Sequence, residues 1–271
     1  MNTRNRSISY VIVSSNHGTL IVNRHDYHKN EKYGDYGVGY QILTKSSFDE
    51  VEVRLVLNLL DRRSQHRGPG LLAIDGGANI GVHSIEWARH MSGWGEVISF
   101  EPQEKIFYAL CGNAAINNCF NIAVRNAALG SESGMIDVPL IDYTTPASYG
   151  SLELRRSSDN EHIGQQPGYG RGNYINMVSI DDLMLPRLDF IKLDIEGMEL
   201  EALLGAQKTI ANFRPIMLIE AIKSNMTPIS DFLKEAGYKT FPAGPNILAV
   251  HEFDEVACEI QVVDDWSIVS V

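Results

Sequence analysis

Four acidic residues, Asp75, Glu101, Asp194 and Glu220, each stand at the end of a short, mostly apolar run: Leu71–Ile74, Val97–Phe100, Phe190–Leu193 and Ile216–Ile219. Runs this short, bounded by turn residues, read as strands buried in a parallel sheet. Such strands present their carboxyl ends along one edge, where open α/β sheets bind ligands, so the four carboxylates are expected to face one cleft. A carboxylate ending the second strand can accept hydrogen bonds from both hydroxyls of a ribose, which makes Glu101 the nucleoside-binding candidate. A carboxylate beside a hydroxyl nucleophile can take its proton as the new bond forms. Asp194 leads as that base, followed by Glu196, Glu220 and His83. Asp194, Glu196 and Glu220 also offer oxygen ligands that would hold Mg²⁺ and polarise an acceptor hydroxyl, although no metal is expected. Plainer roles stand beside these: acids at 196 and 199 suit the first turn of a helix, and His83 suits packing.

The stretch Asp75-Gly76-Gly77-Ala78-Asn79-Ile80-Gly81 joins the first of these strands to an amphipathic run beginning at Val82. Gly77 and Gly81 remove side chains where backbone and ligand must approach, and a helix starting here aims free N–H groups at an anionic group. A dinucleotide site requires Gly-x-Gly-x-x-Gly. This turn departs from that spacing and carries a carboxylate, which would repel a pyrophosphate. Beside the ammonium and sulfonium of S-adenosylmethionine the same carboxylate is favourable, and the helix start can take the cofactor's own carboxylate. A helix-capping role for Asp75 would leave the glycines unexplained. An NAD(P)-dependent oxidoreductase and a non-catalytic cofactor-binding module are the competing readings.

The elements that must position these residues read as strand, helix, strand, helix, strand from 71 to 126, the parallel crossover pattern of a doubly wound α/β fold. Val82–Met91 and Lys105–Asn117 are the first helices, and Ile122–Val124 is the third strand. Met135–Leu140 is a further strand, and the polar stretch 141–176, with Tyr143, Tyr149, Tyr169, Tyr174, Arg155, Arg156 and Arg171, is expected to be a substrate lid. A helix follows from Glu196 to about Ala211, another spans Ile229–Ala236, and Tyr238–Phe241 with Asn246–Val250 reads as a hairpin closing the sheet. Ahead of the core, Ile8–Val13 and Thr19–Val22 read as a hairpin. The Tyr- and His-rich stretch 23–47 has no clear period. Phe48–Arg63 carries apolar residues at 48, 51, 55, 56, 59 and 60, one helical face. Residues 1–67 are thus expected to be an N-terminal extension packed on a core of 68–271.

The chain of 271 residues has a formal charge of −11, which argues against nucleic acid or an anionic membrane as partner. Its cysteines, Cys111, Cys119 and Cys258, lack metal-ligand spacing and read as packing residues of a reduced compartment. The apolar run near the start is too short for a signal or a membrane span, so a cytoplasmic protein is expected. The tail around Trp266 reads as a last strand or an interface, which leaves room for a homodimer.

With these residues in place the chain resembles the FkbM family of S-adenosylmethionine-dependent methyltransferases. The resemblance is carried by Ile74-Asp75-Gly76-Gly77-Ala78-Asn79-Ile80-Gly81, Phe100-Glu101-Pro102, Asn126-Ala127-Ala128-Leu129-Gly130 and Ile191-Lys192-Leu193-Asp194-Ile195-Glu196-Gly197-Met198-Glu199. Val178–Leu183 also looks like the stretch this family places before its fourth core strand. The family usually has a bulkier residue where Gly76 stands. The resemblance implies a Rossmann-like class I methyltransferase fold, with a mostly parallel seven-stranded sheet and an antiparallel C-terminal strand. It implies a cofactor site of Asp75, Gly76, Gly77, Ala78, Asn79 and Gly81 at the methionine part. Glu101 and Pro102 would lie at the ribose, and Asn126 or Ala127 at the adenine. Asp194 would stand near the transferred methyl group. It also implies O-methylation of a small-molecule or glycan acceptor.

Overall fold

Leu71–Gly76 is buried at every position, as a strand covered on both faces must be. The computed structural model that shows this describes residues 8–30 and 34–269. β1 (Tyr10–Ser15) and β2 (Gly18–Asn23) form the expected N-terminal hairpin. β3 (His28–Asn30) and β4 (Gly34–Tyr36) make a small ribbon. Helices α1 (Val38–Lys45) and α2 (Glu50–Arg67) follow. The core then alternates β5 (Leu71–Gly76), α3 (Val82–His90), β6 (Gly95–Phe100), α4 (Glu104–Ile116) and β7 (Ile122–Arg125). β8 (Ala127–Leu129), β9 (Gly134–Leu140) and β10 (Gly168–Val178) form a separate small sheet. The main sheet resumes with β11 (Phe190–Leu193), α5 (Glu199–Leu204), α6 (Gln207–Phe213), β12 (Ile216–Glu220) and α7 (Met226–Glu235). It ends with β13 (Tyr238–Ala243), β14 (Asn246–His251), β15 (Ile260–Val263) and β16 (Trp266–Val269).

The main sheet has the order β15-β16-β13-β14-β12-β11-β5-β6-β7. β7, β6, β5, β11 and β12 run parallel, and β14 enters antiparallel between β12 and β13. The sheet has nine strands where seven are expected, β16 and β15 lying beyond β13 at that edge. Strand order reverses at β5, which sends α3 and α4 to one side and opens the cleft beyond the strand ends. In register, Asp75 lies opposite Ser99 on one side and Lys192 on the other, placing three polar side chains in one row on one sheet face.

Several boundaries differ from the sequence reading. α1 lies in the stretch without a clear period, its start held by the buried Asp26, which accepts from the Gly39 amide (2.8 Å) and from the Tyr149 amide (3.0 Å). The long polar stretch ends earlier than expected, because β10 begins at Gly168. A shift of register between Gly168 and Asn173 hides its alternation. The helix expected from Glu196 to Ala211 is two, broken at Gly205, where a Cβ would stand 2.1 Å from the Gly130 carbonyl oxygen. On α2, Leu55, Val56, Leu59 and Leu60 of the expected face are buried, Val51 is exposed, and Glu52, Val53 and Arg63 join the inward face, which therefore carries charge. The three cysteines are free, and Cys258 is exposed instead of packed. Among the described residues no helix is long and apolar enough to cross a membrane.

Candidate active site

The turn after β5 is shaped by three residues with positive φ: Gly77 (78°), Asn79 (51°) and Gly81 (91°). A Cβ on Gly77 would stand 1.8 Å from the Asp194 carbonyl oxygen, so this glycine lets β5 and β11 end side by side. The amides of Gly77 and Ala78 donate to the Phe100 carbonyl and that of Gly81 to the Ala78 carbonyl. The Asn79 amide donates to Glu101 Oε2 (2.9 Å) and the Ile80 amide to Asn79 Oδ1 (2.7 Å). From Gly77 to Gly81 the protein itself uses all five amides. A pyrophosphate would find no free amide within this turn itself. Asp75 and Gly76 lie beneath the turn instead of in the cleft wall. Asp75 is 1% exposed and accepts from Ser84 Oγ (2.5 Å), which in turn meets Ser99 Oγ (2.6 Å). Burial raises the Asp75 carboxyl above its ordinary range, with the Lys192 ammonium opposing.

Glu101 forms the cleft wall beside the turn. Its Oε1 accepts from the Gln103 amide (2.8 Å) while Oε2 takes Asn79, so both oxygens are fixed in place. Burial pushes its pKa up to about 8 against these two hydrogen bonds. Pro102 and Ala127 line the cleft, with Ile80, Phe100 and Leu129 as an apolar wall. Asn126 is outside the lining. Its Nδ2 donates to the carbonyls of Glu101 (2.8 Å) and Pro102 (3.0 Å), so it pins the turn that carries Glu101.

At the other end of the cleft, Asp194, Glu196 and Glu220 each bring a carboxylate oxygen within 4.8 Å of the others. Lysines balance them from two sides. Lys192 Nζ lies 2.7 Å from Asp194 Oδ2, and Lys223 Nζ lies 2.6 Å from Glu196 Oε2. Burial works against the Lys192 ammonium, but Asp194, Glu52 and Asp75 together hold its pKa above the ordinary lysine value. Burial raises the Glu196 carboxyl well above its usual range, opposed by Lys223 and reinforced by Glu220 and Asp194. Burial, then Asp194 and Glu199, push Glu220 to about 8, and its buried Oε2 has no hydrogen-bond partner. Glu199 is an internal cap: Oε1 accepts from the Ile195 amide (2.9 Å) and Oε2 from the Ser224 hydroxyl. His83 lines the cleft but is held neutral by burial and by the Lys192 charge, its Nε2 lying 3.2 Å from Glu52 Oε1.

Four lining or bridging residues lie outside the sequence reading of the site. Glu52 reaches in from α2 and is pushed by burial to about 7, with Lys192 Nζ 4.0 Å away. Asn246 donates to Glu52, Gln103 holds the Tyr149 carbonyl (2.8 Å), and Lys223 bridges Glu196 to Glu161 (3.0 Å). Glu52 alone had a sequence signal, an acid within an otherwise apolar helical face.

Comparison with known proteins gives a family match and weak structural similarities. The profile "Methyltransferase FkbM domain" matches residues 75–240. A crystal structure of a Methyltransferase FkbM from Methylobacillus flagellatus KT is 19% identical with a TM-score of 0.47, covering 67% of this chain and 44% of its own. The present chain thus spans less than half of that protein. A precorrin-6y C5,15-methyltransferase from Geobacter metallireducens GS-15 is 14% identical (TM-score 0.43; 75% of this chain, 88% of its own). A putative methyltransferase from Streptococcus mutans, in complex with SAH, is 9% identical (TM-score 0.43; 73% and 97%). No curated protein matches by sequence. The match spans more than half of the chain and includes the β5 turn, Glu101 and the acidic cluster, and by it this chain belongs to the FkbM family of methyltransferases.

Proposed function

We propose that the chain is an S-adenosylmethionine-dependent O-methyltransferase acting on a hydroxyl of a small-molecule or glycan acceptor. The observation that carries the acceptor chemistry is Glu220, a carboxyl raised to about 8 with one unpartnered buried oxygen in the cleft. A base works best when its pKa lies near the working pH, and the free oxygen is available for the proton of an entering hydroxyl. Asp194, which the sequence put first, is already engaged by Lys192. It is better suited to orienting the acceptor than to taking its proton.

The residues present fit S-adenosylmethionine. Glu101 is an anchored acceptor at the end of the second core strand, as a ribose requires. The apolar wall of Ile80, Phe100, Ala127 and Leu129 suits an adenine, and Asn79 and Ala78 face the cleft for the amino-acid part. When bound, the cofactor supplies an electrophilic methyl group on a positively charged sulfur. Oxygens of Asp194, Glu196 and Glu220 line the acidic end of the cleft, and a positive charge placed there favours the ionised forms of Glu196 and Glu220. Lys192 and Lys223 keep the cluster from repelling itself apart, and the walls from α1, α2 and residues 148–154 limit water around the nucleophile. Glu220 then holds the hydroxyl proton, while positioning of the acceptor supplies much of the acceleration.

The test is S-adenosylhomocysteine release from a panel of acceptors, each offered as the alcohol and as the matching amine. Turnover of alcohols and loss of turnover in Glu220→Gln are expected. Turnover of amines alone would overturn the reading. Stabilisation by NAD or NADP but not by S-adenosylhomocysteine would overturn the cofactor assignment.

A further inference from the structure

A second concave surface, open to solvent, lies beside the cleft within residues 156–171 and is lined by Arg156, Asn160, Glu161, His162, Tyr169 and Arg171 among others. The adjacent Arg155 is committed to Glu201 (2.7 Å). Arg156 and Arg171, by contrast, make no ion pair or side-chain hydrogen bond among the described residues. Glu161, the single acid in the lining, is spent: it accepts from Tyr36 Oη (2.6 Å) and pairs with Lys223 (3.0 Å). Arg156, His162 and Arg171, all exposed, thus give a chain with a formal charge of −11 a basic lining on one concave surface.

The walls of this basket are fixed by the protein. Asn160 Nδ2 donates to the Arg155 carbonyl (3.1 Å) and the Glu161 amide to Glu153 Oε1 (2.9 Å). Gln165 Nε2 donates to the carbonyls of Asp142 (2.8 Å) and Thr145 (3.1 Å), and Tyr169 Oη to the Glu153 carbonyl (3.1 Å). The partition from the acidic cleft is one lysine thick, because Lys223 Nζ touches both Glu161 and Glu196.

We propose that the basket is a second acceptor subsite, holding a phosphoryl or carboxylate group of the molecule whose hydroxyl enters the cleft. This inference rests on the methyltransferase reading above. Arginine forks match the two oxygens of such groups, and the one acid of the lining, Glu161, is already engaged by Tyr36 and Lys223 and does not compete for them. The cleft offers an oxyanion no uncommitted cation, because Lys192 and Lys223 are paired with Asp194 and Glu196, whereas the basket does, and this favours the orientation of the acceptor that brings its hydroxyl toward Glu220.

The test uses inorganic phosphate and acetate as separate probes, followed through the arginine Nε–Hε NMR signals of the full chain. Saturable shifts are expected in the wild type. In the Arg156→Ala/Arg171→Ala variant, affinity should fall about tenfold or more, the loss of charge-assisted bidentate contacts. Tighter binding of phosphate assigns the subsite to a phosphoryl group, and tighter binding of acetate to a carboxylate. Absence of saturable shifts in the wild type, or equal affinity in the double variant, would overturn the proposal. Thermal stabilisation by S-adenosylhomocysteine, expected unchanged in the double variant, reports separately on the cofactor reading and on folding.

Discussion

Glu220 and Glu101 have carboxyls raised to about 8 by burial, yet they stand at opposite ends of the cleft and should answer mutation differently. A base must be ionised to work, so kcat/KM should rise with pH through about 8. Glu220→Gln should remove that limb and lower the rate by roughly a hundredfold or more, while S-adenosylhomocysteine still binds. Glu101→Gln should keep the limb but weaken S-adenosylhomocysteine about tenfold, since the amide loses acceptor capacity toward a ribose. Isothermal titration beside a pH–rate profile distinguishes the two, and a limb that survives in Glu220→Gln would transfer the base role to Asp194 or Glu196. The positions of Glu101, Asp194 and Glu220 at strand ends were legible because strand termination is a local property. Their state was not: burial and the Lys192 and Lys223 charges are contributed by distant segments, and nothing near residue 223 in sequence marks it as a partner of Glu161 or Glu196.

At the scale of elements, the join between β5 and β11 depends on Gly77. Alanine there would meet the Asp194 carbonyl oxygen at 1.8 Å in a backbone conformation of φ 78° that alanine disfavours. Gly77→Ala should therefore destabilise the protein by about 2 kcal/mol or more, read as a lowered thermal midpoint, and weaken cofactor binding as the turn shifts. Lys223 is the corresponding join beside the acidic cluster, tying the Ser151 carbonyl (3.0 Å) and Glu161 to Glu196. Lys223→Met should speed amide hydrogen exchange in residues 148–167 while leaving β5 and β6 protected; unchanged exchange would show that other contacts hold the segment. The parallel strands were readable from their apolar runs, and the N-terminal and C-terminal hairpins from their turns. β10 was not, because Gly168 to Asn173 shifts register and its exposed residues follow no alternation. Nor was the break between α5 and α6, which is set by the close passage of Gly130 beside Gly205.

Across the whole molecule, burial of carboxyls gives folding a definite pH dependence. Glu52 at about 7 and Glu101 and Glu220 at about 8 keep protons in the folded chain that the unfolded chain releases near about pH 4.3. The folded state thus binds more protons over that range, and stability falls as pH rises through the folded values. His83, buried neutral, opposes this below about pH 6.5, the ordinary histidine value. The net fall should be clearest from about pH 6.5 to 8.5 in scanning calorimetry of the ligand-free protein. A Glu101→Gln variant should show a shallower slope, and a midpoint that climbs with pH in the wild type would contradict these burial assignments. The β5 turn has a further consequence. Since its five amides already bond to the protein, its shape is settled during folding and little conformational entropy is left to lose when a ligand arrives. Association at that end should then be a simple bimolecular step, linear in ligand concentration. Any slow, saturating phase would belong to the proposed acceptor side of the cleft.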